Sequence, residues 1–458
     1  MLGEDGSPRQ QPARQRPARQ RARALTAWRR TGRPASARRR WLAAAVLGTA
    51  GLLAAACSGG GAGHGTGSQP GGQQGSGAEA AGLLLSITPA SGSTNVSPGQ
   101  GITVSASHSK ITSVRVTAGG NPVGGKLSAD GTKWHSRWAL AVSQRYTVTA
   151  RAVSATGHEI TRTSSFRTMT PSQTFRTQIF EGAGKTYGVG MPIMLTFSHP
   201  ITNRAAVERA LQLRTSRPVV GSWYWNNSTT LNFRPRSYWP PHTTVSFTGH
   251  LNGVQGAPGV YGYHTLTQTF TIGRSLIVTA STRTHHMQLY RDGKLYRTWP
   301  ISTGRPGDNT PNGTYVTIDK GNPVLMKGPG YRIKVPWSVR FTWSGDYLHD
   351  AFWSVGEQGF TNVSHGCVNM PPAAAKAYYK LEVPGDPVTV TGSPRAGTWG
   401  NGWTDWFLPW HKYLQGSALH QVVMAGPDGS SFVQPSAAPA SHADAPLGEP
   451  RPDNWSAS

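Results

Sequence analysis

The feature that most constrains this chain is an alternation of apolar and polar residues, carried in short runs from about residue 83 to 392 and broken by Gly, Pro and Asn turns. Period-two alternation puts every second side chain on one face, so such runs build half-buried β-sheet and not helix. At roughly 150 residues per domain, 458 residues allow about three domains. The expected fold is therefore mainly β, in several units.

Between 83 and 171 the runs are Ile102–Ala106, Ser113–Thr117 and Tyr146–Val153. Strands at that spacing predict a small immunoglobulin-like β-sandwich, with Tyr146 at the position of a tyrosine corner. A second such unit, 172–272, carries Ile193–Phe197, Thr230–Phe233 and Thr244–Phe247, and only Asn203–Leu213 reads as a short helix. Neither unit gathers convergent titratable residues. That points to spacer or docking modules, with binding of a wall polymer as the other reading.

Strand signals resume over 273–392. Leu276–Ala280 and His286–Tyr290 are followed by Asp292-Gly293 and Leu295–Trp299, and Asp-Gly between alternating runs marks a hairpin. More strands are expected around Thr314–Ile318, Tyr331–Val335 and Asp346–His349. A helix is expected over Pro371–Lys380, with Pro in its first turn, where the missing N–H costs nothing.

Two cysteines, Cys57 and Cys367, lie too far apart in sequence and setting for a disulfide framework. A metal site would need His and carboxylates, and adjacent His285 and His286 on a strand would face opposite ways. Residues 1–40 hold twelve Arg against Glu4 and Asp5, ahead of an apolar run from Trp41 to Ala56 that is short for a membrane span. Basic stretch, short apolar core and small residues describe an export signal over 1–56. Arg38-Arg39-Arg40 also permits a twin-arginine signal. Residues 57–82 read as a Gly/Ser/Gln-rich linker, and the Pro/Ala-rich 433–458 as a disordered tail. The formal charge is +25, but beyond residue 40 it is too dilute for a nucleic-acid footprint.

The remaining feature is Ser364-His365-Gly366-Cys367-Val368-Asn369, just ahead of the expected helix. A helix N-terminus would favour the Cys367 thiolate. His365 would share a face with Cys367 on an extended segment, but His349, ending a separate strand, is the better general base. A buried structural cysteine is the bland reading. An exported, unpaired thiol with two histidines favours covalent catalysis by a Cys–His pair.

That hexapeptide, preceded by His349, resembles the signature of the L,D-transpeptidase catalytic-domain family, which cross-links peptidoglycan. The likeness runs over about 274–392 and includes Gly304–Gly313 and Trp353–Asn362. The order of linker, two immunoglobulin-like domains and catalytic domain resembles the actinobacterial lipoprotein branch, and Ala54-Ala55-Ala56-Cys57 resembles a lipobox, with Leu53 one place early. An ordinary signal peptide is the alternative for Cys57. The Trp-rich segment 393–418 resembles that branch's C-terminal piece, which folds back on the catalytic domain.

The resemblance implies a Cys367 nucleophile that attacks the third residue of a donor stem tetrapeptide and expels D-Ala. His349 would be the base, oriented by the main-chain carbonyl of Asp350, whose carboxyl is expected in solvent. The oxyanion would be held by main-chain donors at Gly366 and Cys367 near the Tyr331 hydroxyl. His365 would keep the motif's hydrogen bonds, with Ser364 as a partner of the active-site histidines. Tyr331, Met326, Ser344, Gly345, Trp353, Ser364 and Asn369 match positions lining the substrate cleft. No cofactor or metal is implied. Partners would be peptidoglycan stem peptides, carbapenem-type inhibitors and, through lipidated Cys57, the outer face of the cell membrane. L,D-carboxypeptidase activity and a non-catalytic wall-binding lipoprotein are the competing readings.

Overall fold

The computed structural model describes residues 84–328 and 330–437. The expected export signal, Cys57 and the linker, with the tail beyond residue 437, lie outside the described residues. Within them the chain is mainly β.

The first sandwich faces one four-stranded sheet (Leu84–Thr88, Thr103–Ser107, Lys133–Ser136, Gly125–Leu127) with another (Asn121–Pro122, Ser109–Ala118, Arg145–Ser154, Glu159–Arg167). Alternation delivers Val104, Val116, Val148 and Ala150 to its core. The Tyr146 hydroxyl accepts a hydrogen bond from the Ala141 N–H at 2.6 Å, the tie expected of a tyrosine corner.

In the second sandwich a four-stranded sheet (Thr186–Tyr187, Leu266–Ile272, Thr244–Gly249, Leu211–Thr215) accompanies a six-stranded one. The expected helix is shorter than its apolar pattern suggested, Arg204–Arg209. Leu211 and Leu213 alternate into the core on a strand paired with Thr244–Gly249, which ends the helix at Ala210. The six-stranded sheet runs Thr177–Ile179, Ile193–Phe197, Thr230–Pro235, Val219–Trp225, Val422–Gly426, Gly429–Val433. Its last two strands form a C-terminal hairpin that the sequence reading left unassigned, and Val219 pairs with Ala425 across the join.

The Trp-rich segment departs from expectation in the same direction. It serves two surfaces instead of the catalytic domain alone. Phe407 packs edge-on against Tyr315 of the 273–392 unit, with ring centres 4.9 Å apart. Trp403 enters the second sandwich's core together with Val316 and Ile318. Trp406 donates its indole N–H to Gly190 O at 2.7 Å, and the Arg234 guanidinium lies 4.4 Å from the ring centres of both Trp406 and Tyr413. Large aromatics at four closely spaced positions cannot all be buried on one face, so they are shared between two.

Residues 273–392 form a five-stranded sheet (Lys294–Pro300, His286–Arg291, Leu276–Ser281, Pro387–Thr391, Gly313–Val316) and a four-stranded one (Lys320–Gly321, Ser338–Arg340, Tyr347–Asp350, Val368–Met370). The Asp292-Gly293 hairpin forms as expected, both residues having positive φ, 49° and 80°. A helix, Pro372–Leu381, follows the last strand. A separate two-stranded hairpin, Val324–Gly328 with Tyr331–Val335, stands apart as a flap.

Candidate active site

Parallel pairing of Tyr347–Asp350 with Val368–Met370 puts His349 opposite Asn369, two residues beyond Cys367. His349 is buried, and its Nδ1 lies 2.8 Å from Asp350 O. A carbonyl only accepts, so Nδ1 carries the proton and Nε2 keeps the lone pair of a base. His349 and Cys367 line one cavity of about 350 Å³.

Burial holds the His349 imidazole down to about 4, opposed by the bond to Asp350 O. Burial likewise pushes the Cys367 thiol up to about 12; the Asp346 carboxylate adds to this, and a main-chain bond at Tyr347 opposes it. The pair therefore rests as thiol and neutral imidazole. The helix-dipole expectation for Cys367 fails on topology. The strand Val368–Met370 intervenes, and the helix begins only at Pro372. The thiol contacts Gly345 O at 3.8 Å.

The turn before Cys367 is tightly tied. The Ser364 hydroxyl donates to Cys367 O at 2.6 Å and accepts from the Gly366 N–H at 3.2 Å, while Thr310 Oγ1 donates to Gly366 O at 2.8 Å. Gly366 has φ 124°, and a Cβ there would sit 2.6 Å from Asp346 Oδ1, so only glycine fits. Of the two main-chain donors expected for an oxyanion, the Gly366 N–H is thus already engaged by Ser364. His365 turns away from the base position: its Nε2 accepts from Arg305 at 2.9 Å, and its ring lies 5.1 Å from Tyr331. Ser364 bonds to its own turn in place of the histidines.

Met326, Tyr331, Trp353, Ser364, His365 and Asn369 line the cavity. Trp353 lies 5.9 Å from the His349 ring, and the Asn369 amide donates to Ser354 Oγ at 3.0 Å. Ser344 and Gly345 were expected to line the cleft and are not among the residues lining this cavity, although Gly345 O contacts the thiol and Ser344 is exposed. Ser344 Oγ donates to Asp346 Oδ2 at 3.1 Å and is held by Asn401. The Asp350 carboxyl was expected in solvent and is instead buried, its Oδ1 without a hydrogen-bond partner, and burial raises its pKa. The strand carries it inward, beside the buried Met370. Sequence reasoning missed Ile333, Ser354 and Glu357 on the cavity wall, and Asp346, Thr310 and Arg305, which abut or bond to the turn before Cys367. Ile333 and Asp346 were read only as strand residues, and Ser354, Glu357, Thr310 and Arg305 only as parts of the segments Trp353–Asn362 and Gly304–Gly313, with no role at a site. His285 and His286 bond to different partners, Asn362 and Thr284 O.

The bacterial Ig domain family matches residues 93–255, and the L,D-transpeptidase catalytic domain family matches 275–390. L,D-transpeptidase 2 of Mycobacterium tuberculosis (strain CDC 1551 / Oshkosh) is 32% identical over 348 residues, 73% of this chain and 85% of that protein. The chain belongs to the L,D-transpeptidase family. A second member, L,D-transpeptidase 5 of Mycobacterium tuberculosis (strain H37Rv), is 33% identical over 348 residues, 73% of this chain and 77% of its own length. Among solved members, the LD transpeptidase LdtMt1 in complex with imipenem is 35% identical, covering 48% of this chain and all of its own, with TM-score 0.42. An L,D-transpeptidase 3 of Mycobacterium tuberculosis carrying a faropenem-derived adduct is 30% identical over 47% of this chain and 97% of its own, with TM-score 0.39.

Proposed function

We propose that this L,D-transpeptidase is anchored by a lipid on Cys57 to the outer face of the cell membrane and joins peptidoglycan stem peptides third residue to third residue through a thioester on Cys367. One observation carries the catalytic part: a thiol and an imidazole with its lone pair on Nε2 share one cavity, and the imidazole is fixed by Asp350 O. Membership of the family supports the substrate class, and the relatives solved in complex with imipenem and with a faropenem-derived adduct support carbapenem-type inhibitors as ligands.

His349 takes the thiol proton as sulfur bonds to the carbonyl carbon of the donor's third residue. Collapse of the tetrahedral intermediate breaks the C–N bond, and D-Ala leaves with the proton that His349 returns. The acceptor's amine then attacks the thioester, loses a proton to His349, and the Cys367 thiol is restored. The Cys367 N–H and the Tyr331 hydroxyl are the groups suited to the oxyanion, since Gly366 is tied to Ser364.

The test is incubation of the mature chain with soluble tetrapeptide muropeptides, read by mass spectrometry. Dimers with release of D-Ala are expected, and none from Cys367→Ala. Tripeptide monomers alone would reassign the enzyme to L,D-carboxypeptidase activity. The anchor is tested separately, by a thioether-linked lipid mass on Cys57 in protein recovered from membranes.

A further inference from the structure

The flap has two faces of opposite character. Its strands pair in the register Leu325 with Lys334, Met326 with Ile333 and Lys327 with Arg332. Alternation sends Met326 and Ile333 to the cavity roof, and leaves Lys327, Arg332 and Lys334 exposed on the other side. Lys327 and Arg332 are direct cross-strand partners, a like-charge pairing that destabilises a sheet. An isolated two-stranded hairpin is already marginal. No acidic residue occurs between Asp319 and Asp346, and among the described residues none of the three cations makes an ion pair. Repulsion concentrated on the thinnest element of the site would be relieved by a counter-charge from outside the chain.

We infer that the outer face of the flap is a receptor for an anionic wall polymer, bearing phosphate or carboxylate groups, whose binding neutralises Lys327, Arg332 and Lys334 and steadies the roof over Cys367. Opposite charge would relieve the cross-strand repulsion, and Arg332 adds a planar fork matched to either anion. A polymer fits better than a bilayer. The flap roofs the cavity that a stem peptide enters, and that peptide is itself borne on a polymer strand. This last step rests on the function proposed above; the charge argument does not.

The test uses the mature chain and a K327Q/R332Q/K334Q variant, with inorganic polyphosphate as the phosphate probe and hyaluronate as the carboxylate probe. Wild type is expected to bind at least one of them in a salt-dependent way, and the variant about tenfold more weakly, with K327R/K334R binding like wild type. The probe preferred identifies the anion. On intact sacculi the triple variant should show KM raised about tenfold, while its acylation by a carbapenem stays within about twofold of wild type. If the triple variant fails to acylate, the single substitutions decide, each expected to weaken binding about twofold to threefold. Equal binding by wild type and the K327Q/R332Q/K334Q variant overturns the inference, as does binding only to anionic phospholipid vesicles. Failure of wild type to form dimers from soluble muropeptides would overturn the proposed function instead, leaving the polymer-binding result to stand or fall alone.

Discussion

His349 Nδ1 lies 2.8 Å from the carbonyl oxygen of its own neighbour, Asp350. A main-chain acceptor cannot be removed by changing a side chain. The orientation of the base is therefore independent of residue type at 350, even though the Asp350 carboxyl is buried nearby. Asp350→Asn should keep carbapenem acylation of Cys367 within about threefold of wild type, whereas His349→Ala should lower it by about 10³. Intact-protein mass spectrometry over time measures both. A loss from Asp350→Asn comparable to that from His349→Ala would mean that the carboxyl, not the carbonyl, orients the ring.

The protonation states predict an unusual pH profile for a cysteine enzyme. Burial holds His349 down to about 4 and pushes Cys367 up to about 12. Above the lower value the base is free, and below the upper value the thiol is protonated, so the neutral pair dominates across the neutral range. The acylation rate should be flat from about pH 5.5 to 8.5. A limb with its midpoint near neutrality would show that the reactive form is a thiolate–imidazolium pair.

Asp346 acts on the Cys367 thiol through its charge. Its carboxylate raises the Cys367 thiol after burial has done most of the work, and it is held by Thr342 at 2.7 Å and Ser344 at 3.1 Å. Asp346→Asn keeps an oxygen that can accept both bonds and deletes the charge. The thiol pKa should fall, and iodoacetamide alkylation at pH 7.5 should speed up by about threefold to tenfold. Unchanged alkylation would place Asp346 as a turn-former for Gly366 with no electrostatic role.

What was legible in the sequence follows the range of the interaction. Period-two runs fixed the Tyr331–Val335 strand and the Asp292-Gly293 hairpin, because pleat and turn chemistry are local. Cys367, His349 and the flap residue Met326 were found through a motif and a family likeness. Asp346 was not, although it abuts Gly366, because nothing short of the folded turn brings the two together. Burial was the other blind spot. A thiol beside an expected helix reads as activated, but depth in the cavity outweighs a dipole that begins one strand later. The Trp-rich segment likewise announced that it must be buried without saying against what.

The second sandwich holds a carboxyl with no evident catalytic use. Glu181 is fully buried; burial raises its pKa to about 8, opposed by main-chain bonds from its own N–H and from the Met194 N–H at 3.3 Å, with Asp405 adding to the rise. A carboxyl raised on folding binds its proton more tightly in the native state than in the unfolded chain. The stability this confers is complete below the ordinary carboxylate range and is lost as pH rises toward 8. Glu181→Gln keeps an acceptor for Met194 and removes the ionisation, so the variant should not share that loss. Its advantage over wild type should be small at pH 5 and grow to a few degrees in Tm by pH 9. Buried acids not coupled to Glu181, such as Asp386, act equally in both proteins and cancel in the difference, whereas Asp405, which raises Glu181, loses a like charge in the variant and adds to its advantage at high pH. Thermal unfolding of wild type and Glu181→Gln in parallel across that range checks it, and two curves that remain the same distance apart from pH 5 to 9 would show that Glu181 does not change its charge on unfolding.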